Sequence, residues 1–249
     1  GGSFGPLLVA LLVAPYGREN IAYFALVAIA TILVMIPVCR WYKAFLRRAK
    51  WYPAEAGMHH PMPLSQEWTL FAIVILMILI FSKYIYMTSL TSYYTFYLIH
   101  KFGVSVQMSQ VFLFVFLFAT AAGTLIGGPV GDRIGRKYVI WISILGTAPF
   151  SLLMPYASLG WTVGLRFCVG FMLSSAFPSI LLYAQELLPN KLGLISGLFF
   201  GFAFGVAGIA SAVLGNLADH FGIDAVYQIC AYMPLLGLVT WFLPDLKKR

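Results

Sequence analysis

Eight apolar stretches, each near or beyond membrane-crossing length, take up most of this chain: residues 2–16, 20–39, 67–98, 108–127, 138–156, 161–187, 192–217 and 225–244. A helix needs roughly 20 apolar residues to cross the hydrocarbon core. No domain-sized soluble stretch remains between the spans, so the reading is an all-α polytopic membrane protein with eight transmembrane helices. Composition agrees, with 61% hydrophobic and 10% charged residues and a mean hydropathy of +0.89.

A formal net charge of +8 would point to nucleic acid or acidic partners in a soluble protein. In a membrane protein its distribution matters more. With the first span running outward, one face collects Arg40, Lys43, Arg47, Arg48, Lys50, Arg133, Arg136, Lys137, Lys191, Lys247, Lys248 and Arg249. The other face receives Arg18 and Lys101. The positive-inside rule makes the rich face cytoplasmic, places both chain ends there, and leaves no role for nucleic acid. Trp41, Trp51, Trp68, Trp141, Trp161 and Trp241 all fall near span ends or in the basic loop, where interfacial tryptophans belong.

The same patterns bear on chemistry. Cys39, Cys168 and Cys230 are far apart within apolar spans, and His59-His60 lacks further ligands. No metal site, cofactor or nucleophile–base pair is therefore expected, and the chain is read as a non-enzyme. Residues 40–52 form a candidate basic amphipathic helix on the inner leaflet, ended by Pro53, Pro61 and Pro63. Glycines repeat every fourth residue at Gly123, Gly127 and Gly131, and again at Gly193, Gly197, Gly201 and Gly205, joined by Gly208. Small residues on one face predict close helix packing for both segments.

Charges within a span are expensive, and each needs a reason. Lys83 lies near the middle of the third span, and at helical spacing it shares a stripe with Tyr86, Leu90, Tyr94 and Tyr97. A cation among phenol hydroxyls suits a small anion such as a phosphonate; an ion pair with an acid on a helix missing from this chain is the alternative, and a lipid-facing snorkel the third. Arg166, close to the outer start of the sixth span, can snorkel to the interface or bind an anion. Pro178 lies deeper in the same span, and Ser174 and Ser175 just before it can line a cavity or pack on a neighbour. No Asp or Glu occupies the middle of a span, so a titratable carboxylate for proton coupling is expected outside this chain.

The loop Gly128-Pro-Val-Gly-Asp132-Arg133-Ile-Gly135-Arg136-Lys137 is similar to the signature loop of the major facilitator superfamily. Further stretches resemble the bacterial fosmidomycin-resistance drug efflux transporters within it. These are Phe81–Tyr84, Thr91–Ile99, Gly127–Lys137, Tyr183–Leu188 and Gly197–Gly205; Gly1-x-x-x-Gly5-Pro6 resembles part of an antiporter signature. The resemblance implies a proton-coupled antiporter of the bacterial inner membrane, exporting fosmidomycin or similar small anionic drugs. A facilitator moving another organic anion, such as an organophosphate or sugar acid, stays open.

On that template residues 1–40 are the last two helices of an N-terminal half, 41–66 the cytoplasmic linker, and 67–249 a six-helix C-terminal half of a twelve-helix fold. The chain is then expected to be a fragment, with the preceding helices as its partners beside substrate, protons and lipid. The resemblance also implies an inner latch. Asp132 would cap the first span's amino terminus, and Glu186 would pair with Arg133 or Arg136. Gly128, Gly135 and Lys137 complete the gating loop.

Overall fold

The computed structural model describes residues 4–13, 24–49 and 65–244. Its helices run α1 (Phe4–Leu8, continued by a π-helical turn Val9–Val13), α2 (Phe24–Ala49), α3 (Gln66–Ser92), α4 (Tyr94–Phe102) and α5 (Val106–Ile134). There follow α6 (Arg136–Leu145), α7 (Ala148–Leu153), α8 (Leu159–Leu187), α9 (Leu192–Phe221) and α10 (Ile223–Ala231), with a 3-10 segment at Met233–Phe242. Among the described residues no strand is present and six segments are long and apolar enough to cross a membrane: Gln66–Ser92, Val106–Ile134, Arg136–Tyr156, Leu159–Leu187, Leu192–Phe221 and Ile223–Phe242. These correspond to the last six stretches expected from hydropathy. The first two fall only partly within the described residues. The helix α2 continues through the basic segment as far as Ala49, while Lys50–Tyr52, the three prolines and His59-His60 lie outside them.

The bundle centres on α8. It packs along α5 and α6, while α3 packs on α9 and on the terminal 3-10 segment. The α5–α8 seam is built by glycine. A Cβ on Gly123 would lie 2.0 Å from the Phe171 carbonyl oxygen, and one on Gly127 would lie 2.5 Å from Ser175 Cβ. Gly131 meets Ser179 one further turn along. Three successive turns of α5 thus ride directly on α8, as the glycine spacing predicts.

The second glycine series behaves differently. Among the described residues nothing comes within 4 Å of a Cβ at Gly193, Gly197, Gly201, Gly205 or Gly208. The expected close packing there is not found. The reason is that α9 buries another face, carrying Ile195, Phe199, Ala203, Val206, Ala210 and Leu214. The outer surface is apolar, with Leu125, Phe204 and Ile209 widely exposed, whereas Ser82, Ser89, Ser143, Ser151 and Ser179 are buried. An apolar outer surface over six membrane-length helices, around a core that is itself largely hydrophobic, makes this a multi-pass membrane protein.

Two connections depart from the sequence reading. The signature segment is mostly helix: α5 runs through Gly128–Ile134 with Pro129 inside it, and the turn shrinks to Gly135. There φ is +111°, a region in which a side chain would be strained. The stretch read as one span over 67–98 is broken at Tyr93, where α3 ends and α4 begins.

Candidate functional site

The α3 face that carries Lys83 opens onto a cavity of about 230 Å³ lined by Lys83, Tyr84, Met87, Thr120, Ala121, Thr124, Ser174 and Phe177. Three helices supply it. At about 100° per residue, Tyr84 and Met87 lie to one side of Lys83 and Tyr86 to the other. Only 5% of Lys83 is exposed. Its ammonium stands 5.3 Å from the Tyr84 ring centroid and 5.0 Å from that of Phe177, and the two rings meet edge to face. No carboxylate pairs with it among the described residues. Aromatic faces attract a cation by about 2 kcal/mol when desolvated, much less than the hydration an ammonium loses on burial. The two rings therefore offset only part of the cost of burying this lysine.

The tyrosines expected beside Lys83 belong to a second cluster, organised by Arg166. The guanidinium is fully buried, so the snorkelling expectation for Arg166 is overturned. Proximity to the span end did not decide its direction, because α4 and α10 cover it. Its carbon lies 3.5 Å from the Tyr94 ring centroid, and Tyr227 and Phe116 flank it. Nη2 donates to the Leu90 carbonyl at 2.7 Å and to the Tyr227 hydroxyl at 3.1 Å. Tyr227 in turn donates to the Ser89 carbonyl at 3.1 Å.

These contacts explain the break at Tyr93. Ending α3 leaves the Ser89 carbonyl with only a long bond of 3.4 Å from the Tyr93 N–H, and carbonyls at a helix end within a membrane need donors; Tyr227 adds one at Ser89 and Arg166 one at Leu90. A guanidinium there also complements the negative end of the helix dipole. Tyr97 stacks on Tyr227 at 4.1 Å, and Tyr86 is buried beside Ser151. Arg166 Nε, Arg166 Nη1 and the Tyr94 hydroxyl make no hydrogen bond among the described residues. Of the six anticipated site residues, then, Lys83 and Ser174 share the cavity, while Tyr86, Tyr94, Tyr97 and Arg166 form a separate core.

At the opposite end of the bundle the signature segment meets α8. Arg136 Nε donates to Glu186 at 2.9 Å and Nη2 lies 3.5 Å from Asp132, tying together the ends of α5, α6 and α8. Of the two partners expected for Glu186, Arg136 occupies the position. Lys137 reaches the Trp241 carbonyl at 3.5 Å. Gly128 faces open space, Gly135 is the turn itself, and Arg133 closes α5. The first span's amino terminus, the anticipated partner of Asp132, lies outside the described residues.

Sequence reasoning missed Tyr84, Met87, Thr120, Thr124 and Phe177. The available signal was the threonine pair one turn apart in the otherwise apolar stretch 111–131 of α5, beside the glycine series that fixes α5 against α8.

This arrangement of spans and signature segment has known counterparts. The Major Facilitator Superfamily profile matches residues 75–249. The chain belongs to that superfamily. It is 59% identical to the fosmidomycin resistance protein of Escherichia coli, over 98% of this chain and 60% of that protein. It is 33% identical to an uncharacterized MFS-type transporter, YfnC, of Bacillus subtilis, over 100% of this chain and 61% of that protein. A gallate transporter of Pseudomonas putida is 33% identical over 50% of this chain and 29% of its own length. The chain thus spans about three-fifths of the first two curated relatives. No solved structure matches it.

Proposed function

We propose that the protein is a proton-coupled antiporter of the bacterial inner membrane that exports fosmidomycin or similar small anionic drugs, with Lys83 holding the anionic group. One observation carries this: a buried ammonium without a carboxylate partner among the described residues lines a small cavity. An anion entering there gains a charge-assisted hydrogen bond in a low-dielectric setting. The volume, about 230 Å³, is below the roughly 300–1,000 Å³ of drug-sized pockets and suits a compact phosphonate. The high identity to a fosmidomycin resistance protein supports the same substrate class.

On this reading residues 67–249 are the six-helix C-terminal half of a twelve-helix fold, and 41–66 form the cytoplasmic linker. Residues 1–40 are the last two helices of the N-terminal half and the first two of the eight in this chain. Transport takes place between the halves, so the whole protein includes the preceding helices, and the proton-carrying carboxylate is sought there. The basic residues of the linker and signature segment support an orientation with both chain ends in the cytoplasm. The Asp132–Arg136–Glu186 network braces the inner end of the half.

The test is resistance conferred by the intact gene, with and without a proton uncoupler. Lys83→Ala should abolish phosphonate resistance at unchanged membrane abundance, and the uncoupler should remove the resistance of the unmodified protein. Full resistance in the Lys83→Ala variant would sink the binding role.

A further inference from the structure

The cavity beside Lys83 has a second wall, and its hydrogen-bonding character is set by the helix beneath it. Thr120 and Thr124 lie one turn apart on α5 and both line the cavity. Each hydroxyl proton is already committed. Thr120 Oγ1 donates to the Leu117 carbonyl at 2.7 Å, and Thr124 Oγ1 donates to the Thr120 carbonyl at 2.9 Å. A hydroxyl has one proton to give and two lone pairs to offer. Both threonine oxygens are therefore left as acceptors. Lys83, by contrast, is a pure donor. Ser174 completes the polar lining.

A ligand that is anionic throughout satisfies Lys83 and leaves the threonine oxygens facing more lone pairs. A ligand with an anionic end and a separate hydroxyl or N–H satisfies both. We propose that Thr120 and Thr124 are specificity-determining residues that accept a hydrogen bond from a donor group on the substrate, set apart from the anion held by Lys83. The inference rests on the proposed substrate role of Lys83 and adds which anions that site selects: hydroxylated or N-hydroxylated phosphonates over plain ones. Fosmidomycin, with a phosphonate at one end and an N-hydroxyl at the other, fits this class.

The test compares fosmidomycin with its N-methyl analogue, in which a methyl group replaces the hydroxyl, by calorimetric binding to the full-length purified transporter. One neutral hydrogen bond is about 0.5–1.5 kcal/mol, so the unmodified protein should prefer fosmidomycin by about 2- to 13-fold. The double variant Thr120→Val/Thr124→Val, close in shape but lacking both hydroxyls, should lose that preference while binding the N-methyl analogue as before. Thr120→Ser/Thr124→Ser should keep it. A preference that survives the valine pair, or an equal loss for both ligands, overturns the inference. Lys83→Ala separates the two readings: it should weaken both ligands alike, and wild-type affinity for both would place the site elsewhere and remove the basis for either.

Discussion

Replacing Gly123 by alanine tests the seam on which the cavity depends. An added Cβ would sit 2.0 Å from the Phe171 carbonyl oxygen and 2.8 Å from its carbon, where ordinary contact begins near 3.4 Å. The shortfall is therefore about 1.4 Å (3.4 less 2.0). Both obstructing atoms are backbone, so no rotamer change relieves the clash and α5 must move away from α8. Overpacking typically costs about 1–3 kcal/mol, and a backbone obstruction belongs at the upper end. At about 2–4 °C per kcal/mol for a domain of this size, the melting midpoint should fall by roughly 6–12 °C. Gly201 supplies the control, because nothing lies within 4 Å of its Cβ. Alanine there should be neutral or gain up to about 1 kcal/mol of helix propensity. Thermal aggregation of the detergent-purified transporter, followed by size-exclusion chromatography, measures both. Equal midpoints for Gly123→Ala and Gly201→Ala would refute the close seam. Thr120 and Thr124 ride on α5, and Ser174 and Phe177 on α8, so the same variant should also weaken substrate binding.

Tyr227→Phe removes the hydroxyl that accepts from Arg166 and donates to the Ser89 carbonyl. Leaving those buried groups short of partners should cost about 1–3 kcal/mol, whereas Tyr232→Phe, at an exposed position, should not shift the melting midpoint. Glu186→Arg should destabilise the inner brace by about 1 kcal/mol or less, since the pair is partly exposed. Combining it with Arg136→Glu should recover part of that loss, and the recovery should shrink at high salt. Melting curves of the single and double variants at two salt concentrations provide the check.

The long elements were legible because hydrophobicity over twenty residues is a strong, redundant signal. Six spans could be placed without knowing any contact. The pairing at Glu186 came within reach through the family resemblance of the signature segment, which left Arg133 and Arg136 both open as partners. Side-chain direction was harder. Lys83 was visible as a costly charge, but which of its helical neighbours joined it depended on where α5 and α8 stood. The tyrosine stripe from Tyr86 to Tyr97 looked continuous in sequence. The break at Tyr93 carries no proline or glycine, and it is stabilised by Arg166 and Tyr227, distant in the chain. Arg166 misled for the same reason: a side chain near a span end reaches water only if nothing covers it. Gly193–Gly208 and Gly123–Gly131 share a period, but period alone does not say which face finds a neighbour.

The joint at Gly135 leaves no slack between two rods. With one residue between α5 and α6, the end of α5 sets directly where Arg136, the first residue past the pivot, begins. The grip of Arg136 on Glu186 then reports the attitude of α5 at the far end of α8. Thr120 and Thr124 stand on the same rod. The helix that walls the cavity is thus also the one whose end seats Arg136 against Glu186.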